Sequence, residues 1–105
     1  MNFTVLQTGD ASQTASMTLA PGESSGPKSN EHPDSEQVLY LIDGELQADV
    51  GDRRFIMRAG DSVIVPKDAN HRFTNAGTAV AMTFNVYAPP AYEATHASSL
   101  PPLAD

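Results

Sequence analysis

Short apolar runs cut by turn residues recur along the chain from Glu36 onward, at intervals of roughly ten residues. This spacing favours a β-sandwich or barrel, because no apolar set persists at three-and-four spacing over three helical turns. Residues 36–47 predict one long strand, with residues 53–58 as its hairpin partner across a turn at residues 49–52. Residues 61–65 predict a further strand, which ends at Pro66.

A second hairpin is predicted from residues 71–75 and 80–87, with the turn at residues 76–78. Four apolar residues alternate with their neighbours along the returning strand: Val80, Met82, Phe84 and Val86. A period of two places all four on one face of the strand. We expect that face to be the barrel interior.

The N-terminal third contains one clear strand signal, the alternation of Met17 and Leu19 with polar neighbours before a Pro-Gly turn. Residues 23–34 are polar and rich in Ser, Gly and Pro, which predicts a loop. Residues 1–11 form an N-terminal segment with a possible edge strand, residues 12–92 the main domain, and residues 93–105 a loosely held tail of Ala, Ser and Pro.

Size and composition fit one globular domain, since the chain has 105 residues, 40% of them apolar and 18% charged. The net charge of −7, without a Lys/Arg run, argues against nucleic acid and anionic membrane as partners. The chain has no cysteine, which excludes disulfides and thiol nucleophiles. It opens without the basic and apolar stretches of a signal peptide, so a cytoplasmic location is the default expectation.

Two segments carry the candidate chemistry. The first reads Asn30-x-His32, four residues, Gln37, six residues, Gly44, and the second reads Gly60, five residues, Pro66-x-Asp68, two residues, His71, three residues, Asn75. Together they resemble the two signature motifs of the cupin superfamily. The second motif departs from the family pattern only at Asp68, where the family has glycine. In the first, asparagine and glutamine replace the first histidine and the glutamate.

The resemblance implies an all-β fold, a single-domain jelly-roll barrel of the cupin type, also called a double-stranded β-helix. It also implies that three of the four usual metal-ligand positions hold His32, Gln37 and His71, and that the fourth holds Asn30. The expected cofactor is a divalent transition metal such as iron, nickel, zinc or manganese. Because none of these ligands is anionic, we expect weaker binding than by three histidines and a glutamate.

A metal-free interpretation stays open beside this one. Gln37 and Asn30 could instead hydrogen-bond to the imidazoles or to water, since buried polar groups need partners. Two nearby carboxylates are expected on the solvated rim, because strand parity turns Glu31 away from His32 and Glu36 away from Gln37.

The predicted function is that of a cupin that binds a small molecule, with a weak metal site and a possible oxygenase or isomerase activity. The expected pocket wall is apolar and would suit an apolar or aromatic substrate: Phe73, Met82, Phe84, Leu39 and Leu41. The alternative is a non-catalytic module that binds its ligand without metal. Residues 38–42 are apolar on both strand faces, so we also expect a homodimer.

Overall fold

The computed structural model describes residues 1–93, so most of the predicted tail lies outside the described residues. Within them the chain forms eight strands: β1 (Asn2–Thr8), β2 (Gln13–Leu19), β3 (Glu36–Asp43), β4 (Glu45–Val50), β5 (Arg53–Arg58), β6 (Ser62–Val65), β7 (His71–Thr74) and β8 (Ala81–Ala88). Residues 1–93 contain no helix with the length and apolar character needed to cross a membrane.

The strands form two antiparallel sheets, one with the order β1-β2-β8-β3-β6 and one with the order β5-β4-β7. The all-β jelly-roll prediction is confirmed, although the sheets are not closed into a barrel. The core contains buried side chains of both sheets, among them Leu39 and Leu41 from β3 and Leu46 and Phe73 from β4 and β7. The inward direction of Leu39 and Leu41 therefore agrees with the prediction.

The single long strand predicted for residues 36–47 is wrong, because the chain changes sheets in the middle of it. β3 ends at Asp43 and β4 begins at Glu45, and the two strands belong to different sheets. Gly44 lies between them with φ +92°, and a Cβ atom there would lie 2.8 Å from the Cα atom of Ala81. Glycine is needed at this corner for its positive φ and for the missing side chain.

The predicted pairing of residues 71–75 with residues 80–87 is also wrong. β7 pairs with β4, whereas β8 lies between β2 and β3 in the other sheet. The other predicted hairpin is confirmed in part, since β5 pairs back across a tight turn with β4, from Glu45↔Arg58 to Val50↔Arg53. Residues 49 and 50, predicted as turn, belong to β4. The consecutive strands β4 and β5 thus pair with each other, whereas the consecutive strands β7 and β8 belong to different sheets.

The predicted facing of the last strand is reversed. Met82 and Phe84 are 43% and 38% exposed, so they lie on the outer face of β8 and are not pocket wall. The buried residues of this strand are Ala81, Thr83, Asn85 and Tyr87. Polar side chains are tolerated inside because they are paired: the hydroxyl of Thr83 donates to the carbonyl of Met17 at 2.8 Å, and the amide of Asn85 donates to Thr83 at 3.0 Å.

The polar loop between β2 and β3 is anchored along β7. Isolated bridges join Ser24 to Thr74 and Ser29 to His71, and the backbones of Ser29 and His71 exchange two hydrogen bonds. These bonds fix the part of the loop that leads into His32.

Candidate functional site

Two buried histidines from different parts of the chain meet between the sheets. His71 is the first residue of β7, and His32 lies in the loop that is bonded to β7 through Ser29. Their ring centroids are 4.5 Å apart, and the side chains are 8% and 6% exposed. The two histidines that the sequence predicts as ligands of one site thus lie side by side, and their role as ligands stays a prediction.

A chain of buried side chains leads from His32 into the five-stranded sheet. The Nε2 atom of His32 lies 2.9 Å from the Oε1 atom of Gln37, and the amide nitrogen of Gln37 donates to the Oδ1 atom of Asn85 at 2.9 Å. The amide of Asn85 in turn donates to Thr83. Because Asn85 holds the amide group of Gln37, the oxygen of that glutamine faces the imidazole.

The imidazole of His32 faces an oxygen acceptor on each side. Its Nδ1 atom lies 3.2 Å from the carbonyl oxygen of Ser35, and its Nε2 atom faces Gln37. A neutral imidazole carries one N–H group, so it can donate to only one of these two oxygens. The other contact would be satisfied by a cation shared by Nε2 and the amide oxygen, or by a second N–H group on the ring.

His71 presents a nitrogen that is free for a ligand. Its Nδ1 atom donates to the carbonyl of Ala69 at 3.1 Å, while its Nε2 atom has no hydrogen-bond partner among residues 1–93. Burial lowers the pKa of His71, and the charge of His32 lowers it further, whereas the hydrogen bond to Ala69 and the charge of Glu31 oppose the shift. At neutral pH the Nε2 atom therefore carries a lone pair that can bind a metal or accept a proton.

Next to His71 lies a cavity of about 220 Å³. Its apolar wall is formed by Phe3, Met17, Phe73, Tyr87 and Tyr92. Its polar side chains are those of Ser25, Glu31 and His71. Phe73 is the one predicted wall residue that lines this cavity, because Leu39 and Leu41 lie in the core and Met82 and Phe84 face outward.

Two tyrosines of this cavity are held in the neutral form. Burial raises the pKa of Tyr87 and of Tyr92, and the nearby charge of Glu31 raises both further. Their rings meet edge to face, with centroids 5.1 Å apart. Sequence reasoning missed Phe3, Tyr87 and Tyr92. Only Tyr87 carried a usable signal, namely its parity with Thr83 and Asn85.

The remaining candidates lie at the periphery. Asn30 is exposed, and its amide donates to Asp68 at 2.7 Å rather than to a member of the histidine cluster. Glu36 is exposed, as its parity predicts, and Glu31 is exposed while still lining the cavity. Over residues 1–93 no group of three His, Cys, Asp or Glu side chains is arranged to hold a metal ion.

Comparison with known proteins gives the family. A stretch of 46 residues is 39% identical to polyketide synthase CurC of Streptomyces cyaneus and covers 44% of this chain. The chain spans about a third of the length of the curated relatives it matches, with coverages of 30%, 33% and 37%.

Two solved structures illustrate the likeness in fold. A protein of Bacillus halodurans superposes with a TM-score of 0.81 at 24% identity, over 87% of this chain and 72% of that one. A predicted oxalate decarboxylase of Thermotoga maritima superposes with a TM-score of 0.68 at 24% identity, over 75% of this chain and 67% of that one. At these identities the likeness shows the fold alone. The family model described as "Cupin domain" matches residues 15–87, and the chain therefore belongs to the cupin family.

Proposed function

We propose that this chain is a small-molecule-binding cupin whose cavity adjoins a weak divalent-metal site formed by His32, Gln37 and His71. The observation that supports the site is the contact between the Nε2 atom of His32 and the Oε1 atom of Gln37 at 2.9 Å. Two ligand atoms that each lie ~2.1 Å from one ion, at about a right angle, are roughly 3 Å apart. The spacing of these two atoms therefore suits ligands that share an ion.

The neighbouring contacts favour the same arrangement. The Ser35 carbonyl facing Nδ1 of His32 favours the tautomer that leaves a lone pair on Nε2, as the Ala69 carbonyl does for His71. Asn85 fixes the amide oxygen of Gln37. The donors thus suit a divalent transition metal in kind, and their lack of charge makes the binding weak.

The proposed activity is that of a metal-dependent enzyme of the oxygenase or isomerase type, acting on a small apolar or aromatic substrate. When bound, the ion supplies Lewis-acid or redox chemistry at a substrate oxygen. The cavity walls exclude water and orient the substrate, and the Nε2 atom of His71 can hold a proton when it is not bound to metal. The polyketide synthase among the relatives is consistent with an enzymatic role.

The second candidate function is a non-catalytic module that binds its ligand without metal. It is favoured by the glutamine at the glutamate position of the first motif and by the hydrogen-bond chain from His32 to Thr83. With a second proton on His32, both ring nitrogens donate and this chain is complete. The same residues then recognise a ligand by hydrogen bonding alone.

Elemental analysis separates the two candidates. The full chain is purified without chelator, incubated with excess iron, nickel, zinc or manganese, desalted and analysed beside a His32→Ala/His71→Ala double variant. The metal proposal predicts up to one ion per wild-type chain and none in the variant, whose fold is checked by circular dichroism. Absence of bound metal from the wild type, or equal loading of both proteins, would contradict the metal site and leave the metal-free module.

We also propose that a second copy of this chain covers the outer face of the five-stranded sheet. Five exposed side chains from β3, β6 and β8 form what we term the outer apolar face: Tyr40, Ile42, Ile64, Met82 and Phe84. They are neighbours across the strands, since Tyr40 pairs with Phe84 and Ile64 pairs with Val38, two residues before Tyr40. β8 contains no charged residue, and those of β3 lie at its ends, at Glu36 and Asp43.

The area of this face suits a homodimer. With full surfaces of roughly 150–250 Å² for large side chains, the exposed fractions of 38–57% leave an apolar area of roughly 450 Å². A standard interface buries about 800 Å² per partner, and in homodimers about two thirds of this is apolar. Each chain carries a net charge of −7, so two copies repel each other. A contact surface without charged residues keeps the acidic groups of the two copies out of the interface.

A further inference from the structure

Three aromatic rings from three separate segments converge on the cavity. Phe3 of β1 lies 4.8 Å from the ring centroid of Tyr92, and Tyr87 of β8 lies 5.1 Å from the same ring. The rings of Phe3 and Tyr87 are 6.4 Å apart, and Tyr87 meets the edge of His32 at 5.1 Å. All three rings line the cavity. They therefore form an aromatic cluster that reaches the histidine pair.

The position of Tyr92 is fixed by a buried glutamine. Gln13 is 1% exposed, and its amide nitrogen donates to the hydroxyl of Thr8 at 2.8 Å and to the carbonyl of Tyr92 at 2.7 Å. Its amide oxygen accepts from the backbone N–H groups of Ala91 and Tyr92, at 3.1 and 2.9 Å. One side chain thus joins the segment after β8 to β2 through three backbone hydrogen bonds.

We propose that Phe3, Tyr87 and Tyr92 form a subsite for an aromatic ring that bears an uncharged oxygen acceptor, and that Gln13 is the positioning residue for Tyr92. The inference rests on the proposed small-molecule pocket and not on its metal site. The volume supports it, since a cavity of about 150 Å³ holds benzene and this one measures about 220 Å³. There is room for one ring and its substituents, or for two small fused rings.

The tyrosine hydroxyls specify the polar part of the ligand. Tyr87 and Tyr92 both line the cavity, and burial raises the pKa of both, so both hydroxyls stay protonated. A neutral phenol carries one O–H donor, so the hydroxyl of Tyr92 can donate to an acceptor on the ligand.

The charges around the cavity favour a neutral ligand. The carboxylate of Glu31 acts on His71, Tyr87 and Tyr92 through its charge, so it also opposes an anion in the same space. The cavity lining includes Met1, whose amino terminus is paired with Glu23 at 2.6 Å, and no lysine or arginine of residues 1–93. A phenol, an aryl ketone or an aryl alcohol fits this environment better than an aryl carboxylate.

The subsite also extends beyond the shared domain. The family match covers residues 15–87, whereas Phe3, Gln13 and Tyr92 lie outside it. Two of the three rings, and the residue that positions one of them, come from the flanking segments. We infer that these segments carry the ligand specificity of this chain.

The test measures the binding of four fused-ring probes to the full chain by isothermal titration calorimetry, in the presence of chelator. We expect 2-naphthol to bind at least tenfold more tightly than 2-decalol, its saturated counterpart, and than 2-naphthoate, its anionic counterpart. Tyr92→Phe is expected to weaken the binding of 2-naphthol about fivefold, since one neutral hydrogen bond is lost. The affinity for naphthalene, which has no oxygen, is expected to stay unchanged. Tyr40→Phe removes a hydroxyl from the outer apolar face and is expected to change neither affinity.

The role of Gln13 is tested by the preference between two ligands rather than by the stability of the protein. Gln13→Ala is expected to abolish the preference for 2-naphthol over naphthalene. Gln13→Glu, which keeps an acceptor for the two backbone N–H groups, is expected to restore part of it. If Gln13→Ala only destabilises the protein, the binding of both ligands weakens equally and the preference is kept. That result would overturn the positioning role.

The outcomes separate the subsite from the metal site. Equal affinity for 2-naphthol and 2-decalol, or an unchanged ratio of 2-naphthol to naphthalene in Tyr92→Phe, would overturn the aromatic subsite even if the chain binds metal. Retention of 2-naphthol binding by a wild-type chain that takes up no metal would support the subsite and refute the metal site alone.

Discussion

The Nε2 atom of His32 and the Oε1 atom of Gln37 lie 2.9 Å apart inside the protein, and Asn85 holds the amide so that its oxygen faces the ring. Glutamine has the shape of the glutamate in the first cupin motif but lacks its charge. The position thus keeps an oxygen directed at the histidine, while the anion that would compensate a divalent cation is missing.

Gln37→Glu should therefore strengthen metal binding. The substitution keeps the side-chain length and adds a negative charge beside the proposed ion, so we expect at least a tenfold gain in affinity, equivalent to ~1.4 kcal/mol. Competition titration against a chromophoric chelator, with zinc and with manganese, measures the gain. An unchanged dissociation constant would show that the oxygen at position 37 is not a ligand.

Asn30→His is the matched comparison. Asn30 is exposed and bonded to Asp68, so an imidazole added there should leave the affinity within twofold of the wild type. A gain as large as that of Gln37→Glu would mean that position 30 reaches the ion. It would then restore the four-ligand site that the sequence motif implies.

The outer apolar face gives a prediction about assembly. Ile64, 57% exposed on β6, becomes charged in Ile64→Glu, which places a carboxylate inside the proposed interface. We expect light scattering to show a dimer for the wild type at micromolar concentration and a monomer for the variant. Ile56→Glu is the control, because Ile56 is 43% exposed but lies on β5 in the other sheet. A monomeric wild type, or an equal loss of dimer in both variants, would contradict this interface.

The sequence predicts strands and turns better than it predicts which strands meet. The β4–β5 hairpin follows from adjacent apolar runs and a tight turn, which are local signals. The exchange of sheets at Gly44 depends on close approach to Ala81, which lies far along the chain. A pattern of apolar runs contains no information on that approach, so the sequence predicts one strand where the structure has two.

The facing of β8 shows the limit of hydrophobic alternation. Met82 and Phe84 alternate with Thr83 and Asn85, and the rule that apolar residues face inward gives the wrong answer here. The inner face is polar because it continues the hydrogen-bond chain from Gln37, and the outer face is apolar across three neighbouring strands. The motif predicts His32, Gln37 and His71 as one site, and these residues lie close together, while their role as ligands stays a prediction. Phe3 and Tyr92 have no such motif, because their position at the cavity depends on contacts between distant segments.

The corner at Gly44 can be tested by its effect on stability. Gly44→Ala introduces a Cβ atom 2.8 Å from the Cα atom of Ala81 and 2.9 Å from the carbonyl oxygen of Val80, at a φ of +92°. We expect a loss of about 3 kcal/mol in the free energy of unfolding, from overpacking and backbone strain together. Gly51→Ala is the control: φ is +60° there and no atom lies within 4 Å, so only the strain of about 1 kcal/mol applies. Equal losses in urea titrations would mean that β8 moves aside at no cost.

His71 should make stability depend on pH. Burial lowers its pKa in the folded chain below the value of about 6.5 expected when the chain is unfolded. Between these two values the unfolded chain binds more protons, so the free energy of unfolding rises with pH. The contribution is therefore complete above pH ~6.5 and is lost as the pH falls towards the folded-state pKa.

The measurement compares wild type and His71→Asn by urea unfolding in steps from about pH 8 to pH 5, the range in which histidine titrates. The other titrating groups are common to both proteins, so they largely cancel in the difference between the two curves. We expect that difference to shrink below pH ~6.5, because the variant lacks the group whose protonation destabilises the wild type. Parallel curves over the whole range would mean that His71 is as well solvated as in the unfolded chain. That result would also remove the argument that its Nε2 atom carries a lone pair at neutral pH because of burial.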